Sequence, residues 1–330
     1  MANTPIATIQ EHFGNIEDPR SKQGQRHLLF DILVIALCAT ICGADAWTEV
    51  EVFGHEKEAW LRTFLELPHG IPSHDTIGRL FRLIDPAEFQ ASFLSWMQAV
   101  QTVTAGEVVA IDGKQLRGSH DRYLGKDAIY MVSAWATENG LVLGQTKVAE
   151  KSNEITAIPQ LLELLDLNSC IVTTDAMGCQ RGIAQAILDE GADYMLALKE
   201  NQGNLYREVQ SLFTYADETE FRQVEHDTHR TVSNGHGRVE VRRCCVIREP
   251  EFLSYLDEVT EFPKLQAIVR VHTKRQAAGG VTQKTRYFIT SLDGTAEQAL
   301  QAVRGHWKIE NQLHWVLDVT FREDASRVRK

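Results

Sequence analysis

The stretch VVAIDGKQLRGS, residues 108 to 119, decides the fold of the second part of the chain because the sequence periodicity changes there. The chain reads as helical before it, whereas the apolar residues from Val108 to Ile111 predict a strand. Asp112 stands at the end of that run, followed by glycine and lysine. Two interpretations are open, because Asp-Gly is a common hairpin corner and a carboxylate delivered to a strand end is a candidate metal ligand.

Composition points to an ordinary globular protein. The chain has 330 residues, 43% of them hydrophobic and 24% charged, which allows about two domains. The longest apolar run, ILVIALCATIC at 32 to 42, has 11 residues, whereas a membrane span needs about 20, so it predicts a core helix. The N terminus shows no secretory pattern, and the 6 cysteines form no C-x-x-C pair. We therefore expect a cytoplasmic protein.

The negative net charge of the chain disfavours nucleic acid as a partner, whereas the clustering of its basic residues favours it. The formal charge is −11, although phosphate binding needs clustered lysine and arginine. The basic residues are bunched, however, in DPRSKQGQRH, GRVEVRR, HTKRQ and the final SRVRK. One positive face is enough for binding, so this composition does not exclude DNA.

Residues 1–104 predict a helical N-terminal domain, for which the interpretation is binding of DNA ends. In PSHDTIGRLFRLI, residues 72 to 84, Ser73 is a candidate N-cap, and apolar residues at 77, 80, 81 and 84 have the spacing of a buried helix face. This helix resembles the reading helix of a helix-turn-helix. Its outward residues would be His74, Asp75, Thr76 and Arg79. Plain helical packing is the alternative.

Residues 105–200 predict a mixed sheet. The elements run strand, strand, strand, helix, strand, helix, strand, which is the order of the ribonuclease H-like fold. Residues 201–292 look strand-rich and irregular, as a β-rich insertion or an extension of the sheet. Residues 293–330 return to helix from Thr295 and complete the catalytic core. The predicted fold class is therefore α/β, a ribonuclease H-like mixed sheet flanked by helices.

Three acidic residues stand out on these elements. Asp112 ends the first strand and Asp175, in IVTTDAMGCQ, ends the fourth. These strands are neighbours in a fold of this order, so two like charges meet and favour a cation between them. His306, Glu310 and His314 follow each other at intervals of 4 and would lie on one face of a helix. Glu310 is therefore a candidate third ligand, and an ordinary surface glutamate is the alternative interpretation. Together the three carboxylates are the oxygen ligands that Mg²⁺ prefers, with Mn²⁺ as a substitute.

Other residues are candidates for supporting roles. Lys114 and Lys199 lie near the two aspartates and are candidate phosphate contacts, with an exposed lysine as the alternative. Ser152 or Asn153 is a candidate N-cap of the next helix, and a role of Asn153 or Glu154 in the site is the second interpretation. His236, Arg238 and Arg242 alternate on one strand face, which suits a grip on the DNA backbone or a charged solvent face.

A family resemblance covers almost the whole chain. The motifs HLLFDILVIALCATICGADAW, GIPSHDTIGRLF, AIDGKQLRGS, EKSNEITAIPQLLELLD, IVTTDAMGCQ, YMLALKENQG, GHGRVEVRR and RGHWKIENQLHWVLDVTFRED resemble, in this order, those of the H repeat-associated insertion-sequence transposases. These are DDE transposases with a ribonuclease H-like domain. The resemblance implies that Asp112, Asp175 and Glu310 form the catalytic and metal-binding triad. It also implies DNA as substrate, a homodimer or larger assembly on DNA, and a bacterial, nucleoid-associated location.

Two departures from the family pattern affect residue roles. Many related transposases have tyrosine and arginine before the glutamate and lysine after it, where this chain has Val303, His306 and Leu317. The phosphate-contacting roles of that triplet therefore do not transfer, and Arg304 and His306 are the candidate substitutes. The family usually continues beyond SRVRK, so we expect a shortened protein that keeps the triad, with loss of activity as the alternative.

The sequence favours a transposase that cleaves at insertion-sequence ends and joins 3′-hydroxyls to target DNA. Two alternatives stay open. One is a ribonuclease H-like nuclease without strand transfer, and the other is a degenerate transposase that only binds DNA.

Overall fold

Helices with one apolar face form the first part of the chain. The computed structural model describes residues 5–100, 105–120, 127–148, 153–222, 224–235 and 237–327, so Ser152 and His236 lie outside the described residues. The chain divides into two units, Met1–Thr102 and Val103–Lys330. In the first unit the helices are α1 (Pro5–Phe13), α2 (Leu29–Ile41), α3 (Trp47–Glu56), α4 (Glu58–Leu61), α5 (His74–Leu83) and α6 (Pro86–Val100). The N-terminal helical prediction is therefore confirmed.

The apolar run in α2 lies in the core of this unit. Residues 32–36 are buried and pack in one cluster with Leu61, Ile77 and Leu80. The prediction of a core helix is correct. Within the described ranges, no helix combines the length and the apolar character that a membrane crossing requires.

Helix α5 is held by aromatic packing against α3. Trp47 stacks on Phe81 with ring centroids 4.7 Å apart, and a Cβ at Gly78 would lie 2.9 Å from the Trp47 ring. Ser73 occupies the N-cap position, as predicted, but its side chain makes no capping hydrogen bond. The outward ends of His74, Asp75 and Arg79 are exposed, with His74 paired to Glu51 at 2.5 Å.

A single mixed sheet organises the second unit. Its described strands are β1 (Val108–Leu116), β2 (Ile129–Ala136), β3 (Leu141–Lys147), β4 (Ile171–Thr174), β5 (Asp193–Leu198), β6 (His226–Gly235), β7 (Arg238–Ile247), β8 (Ala267–Ala277) and β9 (Gly280–Thr290). They are ordered β3-β2-β1-β4-β5-β9-β8-β7-β6. β1 to β3 form an antiparallel meander, and β4 and β5 run parallel to β1.

The adjacency of the first and fourth strands is confirmed, and the position of Asp112 is corrected. β1 pairs in parallel with β4 through Val108–Ile171 to Ile111–Thr174. β1 does not end at Asp112, however, because its pairing with β2 continues to Leu116. The hairpin interpretation of Asp-Gly is therefore wrong. Asp112 projects from the middle of a strand, at the point where the pairing with β4 stops.

Helices cover both faces of the sheet. On one face, α7 (Glu154–Leu162) packs over β2 and β3, and α8 (Arg181–Asp189) packs over β5. On the other face, α11 (Ala296–Lys308) packs on Val108, Ile171 and Met195. Gly191 follows α8 with φ +70°, a conformation that favours glycine and ends the helix.

Residues 201–292 contain two helices that the sequence analysis did not predict. α9 (Gly203–Glu218) buries Leu205, Val209 and Phe213, and α10 (Pro250–Thr260) follows β7. The strands between and after them extend the main sheet, because β9 pairs with β5. The apolar residues of α9 recur at helical spacing, and this was the sequence signal for that helix.

The last helical region is not one continuous α-helix, which corrects the prediction. Thr295 and Gln298 form a capping box at the start of α11. The segment Ile309–His314 then turns as a π-helix before α12 (Trp315–Val319). π-Helical turns are rare and occur frequently at functional sites.

Candidate active site

Asp112 is a largely buried carboxylate among other carboxylates. Its side chain is 18% exposed. Burial is the main cause that raises the pKa of Asp112 to about 7, against an opposing hydrogen bond from the Gly113 N–H group. The carboxylates of Asp175, Glu310 and Glu154 raise it further. The three predicted acids therefore act on each other electrostatically, although they are far apart in sequence.

Asp175 directly follows β4, as predicted. Its Oδ1 accepts hydrogen bonds from the backbone N–H groups of Met177 at 2.8 Å and Gly178 at 3.3 Å. These bonds fix the carboxylate at the end of the strand. Asp175 also lines a cleft of about 430 Å³ together with Lys199 and Tyr206. The other lining residues are Ala176, Met177, Glu200 and Asn201.

Glu310 projects from the π-helical segment. Its neighbours Ile309 and Leu313 are buried against Ala110 of β1 and Trp135 of β2. This packing fixes the segment beside the strand that carries Asp112. Burial raises the pKa of Glu310, Arg286 and Lys199 oppose the rise, and Asp175 adds to it.

Glu154 is a fourth carboxylate at this site. It begins α7, and it accepts a short hydrogen bond from the hydroxyl of Tyr130 on β2. Burial raises the pKa of Glu154, and Asp175 raises it further. Asn153 occupies the N-cap position, but its side chain makes no capping bond. The sequence analysis gave Glu154 a role in the site only as its second interpretation. The signal for it was Gly113, whose missing side chain leaves room for the Glu154 carboxylate.

Two histidines from the last helical region border the carboxylates. His306 Nδ1 lies 3.1 Å from Thr173 Oγ1 on β4, and His314 Nδ1 lies 3.5 Å from Asp112 Oδ2. Burial lowers the pKa of both imidazoles to about 4. Both are therefore neutral near pH 7, and His314 does not supply a compensating positive charge to Asp112.

The two predicted lysines have different surroundings. Lys114 is 10% exposed, and its Nζ lies 2.7 Å from Asp318, 2.5 Å from Glu323 and 3.9 Å from Asp324. These carboxylates follow the π-helical segment, so Lys114 joins β1 to the C-terminal region. Lys199 is exposed at the end of β5, beside the cleft that Asp175 lines.

The departures from the family triplet have structural explanations. Val303 is buried in the cluster between α11 and the sheet. His306 contacts β4 through Thr173. Leu317 packs on the cluster around Trp135, where a lysine would place a charge against apolar side chains.

The predicted arginines lie on the sheet extension and α11. Arg242 pairs with Glu240 at 2.7 Å, and burial together with Arg304 and Arg238 lowers the pKa of Arg242. Arg238, Glu240 and Arg242 therefore share one strand face, near the exposed Arg304 of α11. Their contact with DNA stays a prediction.

The donor chemistry of the acidic cluster suits a divalent cation. Asp112, Asp175 and Glu310 offer oxygen ligands, and burial together with the neighbouring carboxylates raises the pKa of Asp112. Among the described residues, however, no group of three or more His, Cys, Asp or Glu side chains stands ready to hold a metal.

Family models match both units of the chain. One described as "Transposase DDE domain" matches residues 104–330, and one described as "DDE_Tnp_1-associated" matches residues 10–97. The chain therefore belongs to the DDE transposases. It is more particularly an insertion-sequence transposase, and the predicted resemblance to the H repeat-associated proteins is confirmed.

Relatives match over nearly the whole chain. The putative transposase YncI of Escherichia coli O157:H7 is 44% identical over 98% of this chain and 83% of its own length. The H repeat-associated putative transposase YhhI of Escherichia coli K12 is 40% identical over 98% of this chain and 86% of its own length. A shorter relative named inactive transposase YbfQ is 38% identical over 23% of this chain and 89% of its own length.

Proposed function

We propose that this protein binds the ends of its insertion sequence, hydrolyses phosphodiester bonds there, and transfers the 3′-hydroxyl ends to target DNA. The observation that supports this most directly is the placement of the three carboxylates: Asp112 lies on β1, Asp175 directly follows the neighbouring strand β4, and Glu310 lies on a segment packed against β1 and β2. The strand order β3-β2-β1-β4-β5, with β1 parallel to β4, supports the assignment of a ribonuclease H-like core.

The carboxylates have distinct structural supports for this chemistry. Asp112 and Asp175 stand on neighbouring strands, and Glu310 reaches the same edge from a helix packed on β1 and β2. Bound Mg²⁺ or Mn²⁺ would activate the attacking water or 3′-hydroxyl and stabilise the leaving oxygen. Lys199, exposed beside the cleft of Asp175, is placed to contact a phosphate of the bound strand.

The first unit offers a separate surface for recognising DNA ends. α5 presents His74, Asp75 and Arg79 outward from a packed pair of helices. A helix presented in this way can enter a major groove. We therefore propose α5 as the reading helix, and the assembly on two ends as a homodimer or larger complex.

A DNA-cleavage assay of the Asp112→Asn variant tests the catalytic part of the proposal. The variant keeps the shape of the side chain and removes its charge, so we expect Mg²⁺-dependent cleavage of end-containing DNA to fall by at least about 100-fold. DNA binding should be unchanged. Asp189→Asn, an exposed aspartate at the end of α8, is the matched control and should cleave like the parent protein. Retained cleavage in Asp112→Asn would refute the proposal.

A joining assay separates the proposed function from its alternatives. Labelled ends are incubated with a target plasmid in Mg²⁺ or Mn²⁺. Covalent joining is expected from a transposase, whereas cleavage without joining would identify a nuclease. A mobility shift without either product would identify a protein that only binds DNA.

A further inference from the structure

Strands β6 to β9 are strongly basic in an acidic chain. They contain 9 lysine and arginine residues and 2 acidic residues. The rest of the chain has 25 basic and 43 acidic residues. Positive charge is therefore concentrated on the four-stranded extension of the sheet, which is the distribution that phosphate binding requires.

The strand register divides these cations between two faces. Residues directly opposite each other on neighbouring strands point to the same face. Arg242 lies opposite Thr273, which lies opposite Lys284, and Glu240 lies opposite Arg275. The face that carries α11 therefore has a set of cations here called the basic track: Arg238, Arg242, Arg275, Lys284, Arg286 and Arg304.

Contacts independent of the register connect the basic track to the acidic cluster. The guanidinium of Arg286 stacks on the ring of Trp307 at 4.6 Å from its centroid. Trp307 lies on α11, three residues before Glu310. Arg286 and Glu310 also act on each other electrostatically. The track therefore begins beside Glu310 and extends toward the Arg238 end of β7.

The cations of the basic track are mostly uncompensated. Of the six, only Arg242 has an acidic side chain within 4.0 Å in the part of the chain that the structure describes. Arg275, Lys284 and Arg304 are exposed. Through Ala277, Arg238 is in register with Gly280 of β9, which lies six residues before Arg286 on the same strand. At about 3.4 Å per residue, the two arginines are therefore about 20 Å apart along the strand direction. This length suits contact with several successive phosphates.

The opposite face of the same strands differs in chemistry. It carries Arg230, Arg243, Arg270 and Lys274, but Arg270 is paired with Asp217 and exposed valines interrupt the other three cations. Val232 is 56% exposed and Val281 is 51% exposed. Exposed apolar side chains contribute nothing to phosphate binding, so the two faces are not equivalent.

We propose that the basic track binds the phosphate backbone of duplex DNA and leads the duplex to the Glu310 edge of the acidic cluster. This inference rests on the proposed function, because it gives that function its path for the substrate. It adds Arg275, Lys284 and Arg286 to the arginines identified from the sequence.

Two charge-matched triple variants of the full chain test the proposal. The track variant is Arg238→Gln with Arg275→Gln and Lys284→Gln, and the control is Arg230→Gln with Arg243→Gln and Lys274→Gln. Both remove three positive charges from the same strands. Binding of a fluorescent 30-bp DNA duplex is measured in EDTA over a range of salt concentrations, and thermal unfolding confirms that both variants are folded.

The slope of log affinity against log salt distinguishes a phosphate contact from a general charge effect. Each lost phosphate contact reduces the magnitude of this slope by about 0.9. We therefore expect the slope of the track variant to be smaller in magnitude by about 2 to 3, and its affinity to be at least about tenfold lower. The slope of the control should change in magnitude by less than about 1. Equal losses in both variants, an unchanged slope in the track variant, or tighter binding of the parent protein to single-stranded RNA would overturn the proposal.

The experiment separates this inference from the proposed function because no cleavage occurs in EDTA. A protein that binds through the track but never cleaves DNA in Mg²⁺ contradicts the catalytic proposal and supports the track. A protein that cleaves, with both variants equal in slope, contradicts only the track.

Discussion

Gly113 gives the carboxylate of Glu154 its place beside Asp112. A Cβ at Gly113 would collide with Glu154 Oε1 and lie 2.5 Å from Tyr130 Cε1. The glycine after Asp112 therefore permits a close approach between a strand and the start of α7, and it does not form a turn.

Gly113→Ala is expected to destabilise the protein by about 1–3 kcal/mol, because the added methyl group forces Glu154 and Tyr130 to move. Urea unfolding followed by fluorescence measures this free energy. Gly182→Ala is the control, since a Cβ at this position of α8 would meet none of the described residues within 4 Å, apart from its chain neighbours and the backbone of its own helix. That substitution should be neutral or stabilising by up to about 1 kcal/mol. Equal stability of Gly113→Ala and the parent would show that the close approach is not real.

The raised pKa of Asp112 predicts a pH dependence of stability in EDTA. The folded-state pKa of about 7 lies above the ordinary aspartate value of 3.8, so the folded protein binds more protons than the unfolded chain between these pH values. The contribution of Asp112 to stability is therefore favourable below about pH 4 and is lost as the pH rises through 7. Asp112→Asn should become progressively more stable than the parent protein over this range.

The difference between variant and parent is the quantity to measure, because the histidines act in the opposite direction. His306 and His314 have folded pKa values of about 4, below the ordinary histidine value of 6.5, so their contribution is present above pH 6.5 and lost as the pH falls toward 4. Subtracting the two unfolding curves removes the part of the histidine contribution that does not depend on Asp112. A pH-independent difference would contradict the account of Asp112.

Lys114 is predicted to stabilise the junction between β1 and the C-terminal region. Lys114→Gln leaves the carboxylates of Asp318 and Glu323 without their cation, so the free energy of unfolding should fall by about 1–3 kcal/mol. Lys264→Gln is the control, because its pair with Asp193 is 3.3 Å long and the lysine is 57% exposed. The control should change stability by less than about 1 kcal/mol. Equal effects of the two variants would contradict the role of Lys114.

The sequence contained the information that places two of the acids. Alternating and apolar runs gave the strand order, and the order implied that β1 and β4 are neighbours. Asp175 follows β4 as expected. These features depend on local patterns and on general rules of topology, which a single sequence expresses well.

Other features depend on contacts that no local pattern encodes. The π-helical segment around Glu310 is set by the packing of Ile309 and Leu313 on Trp135. The environment of Lys114 is set by acidic residues about 200 positions later, such as Asp318 and Glu323. Helix α9 was missed although Leu205, Val209 and Phe213 recur at intervals of four residues.

Crystals soaked in Mn²⁺ and measured for anomalous scattering test most directly whether the acidic cluster holds a metal. The account predicts a Mn²⁺ peak in ligand contact with the carboxylates of Asp112 and Asp175, with Glu310 turned toward it. Ordered Mn²⁺ elsewhere in the crystal, with no peak at this cluster and Glu310 directed away from the two aspartates, would contradict it.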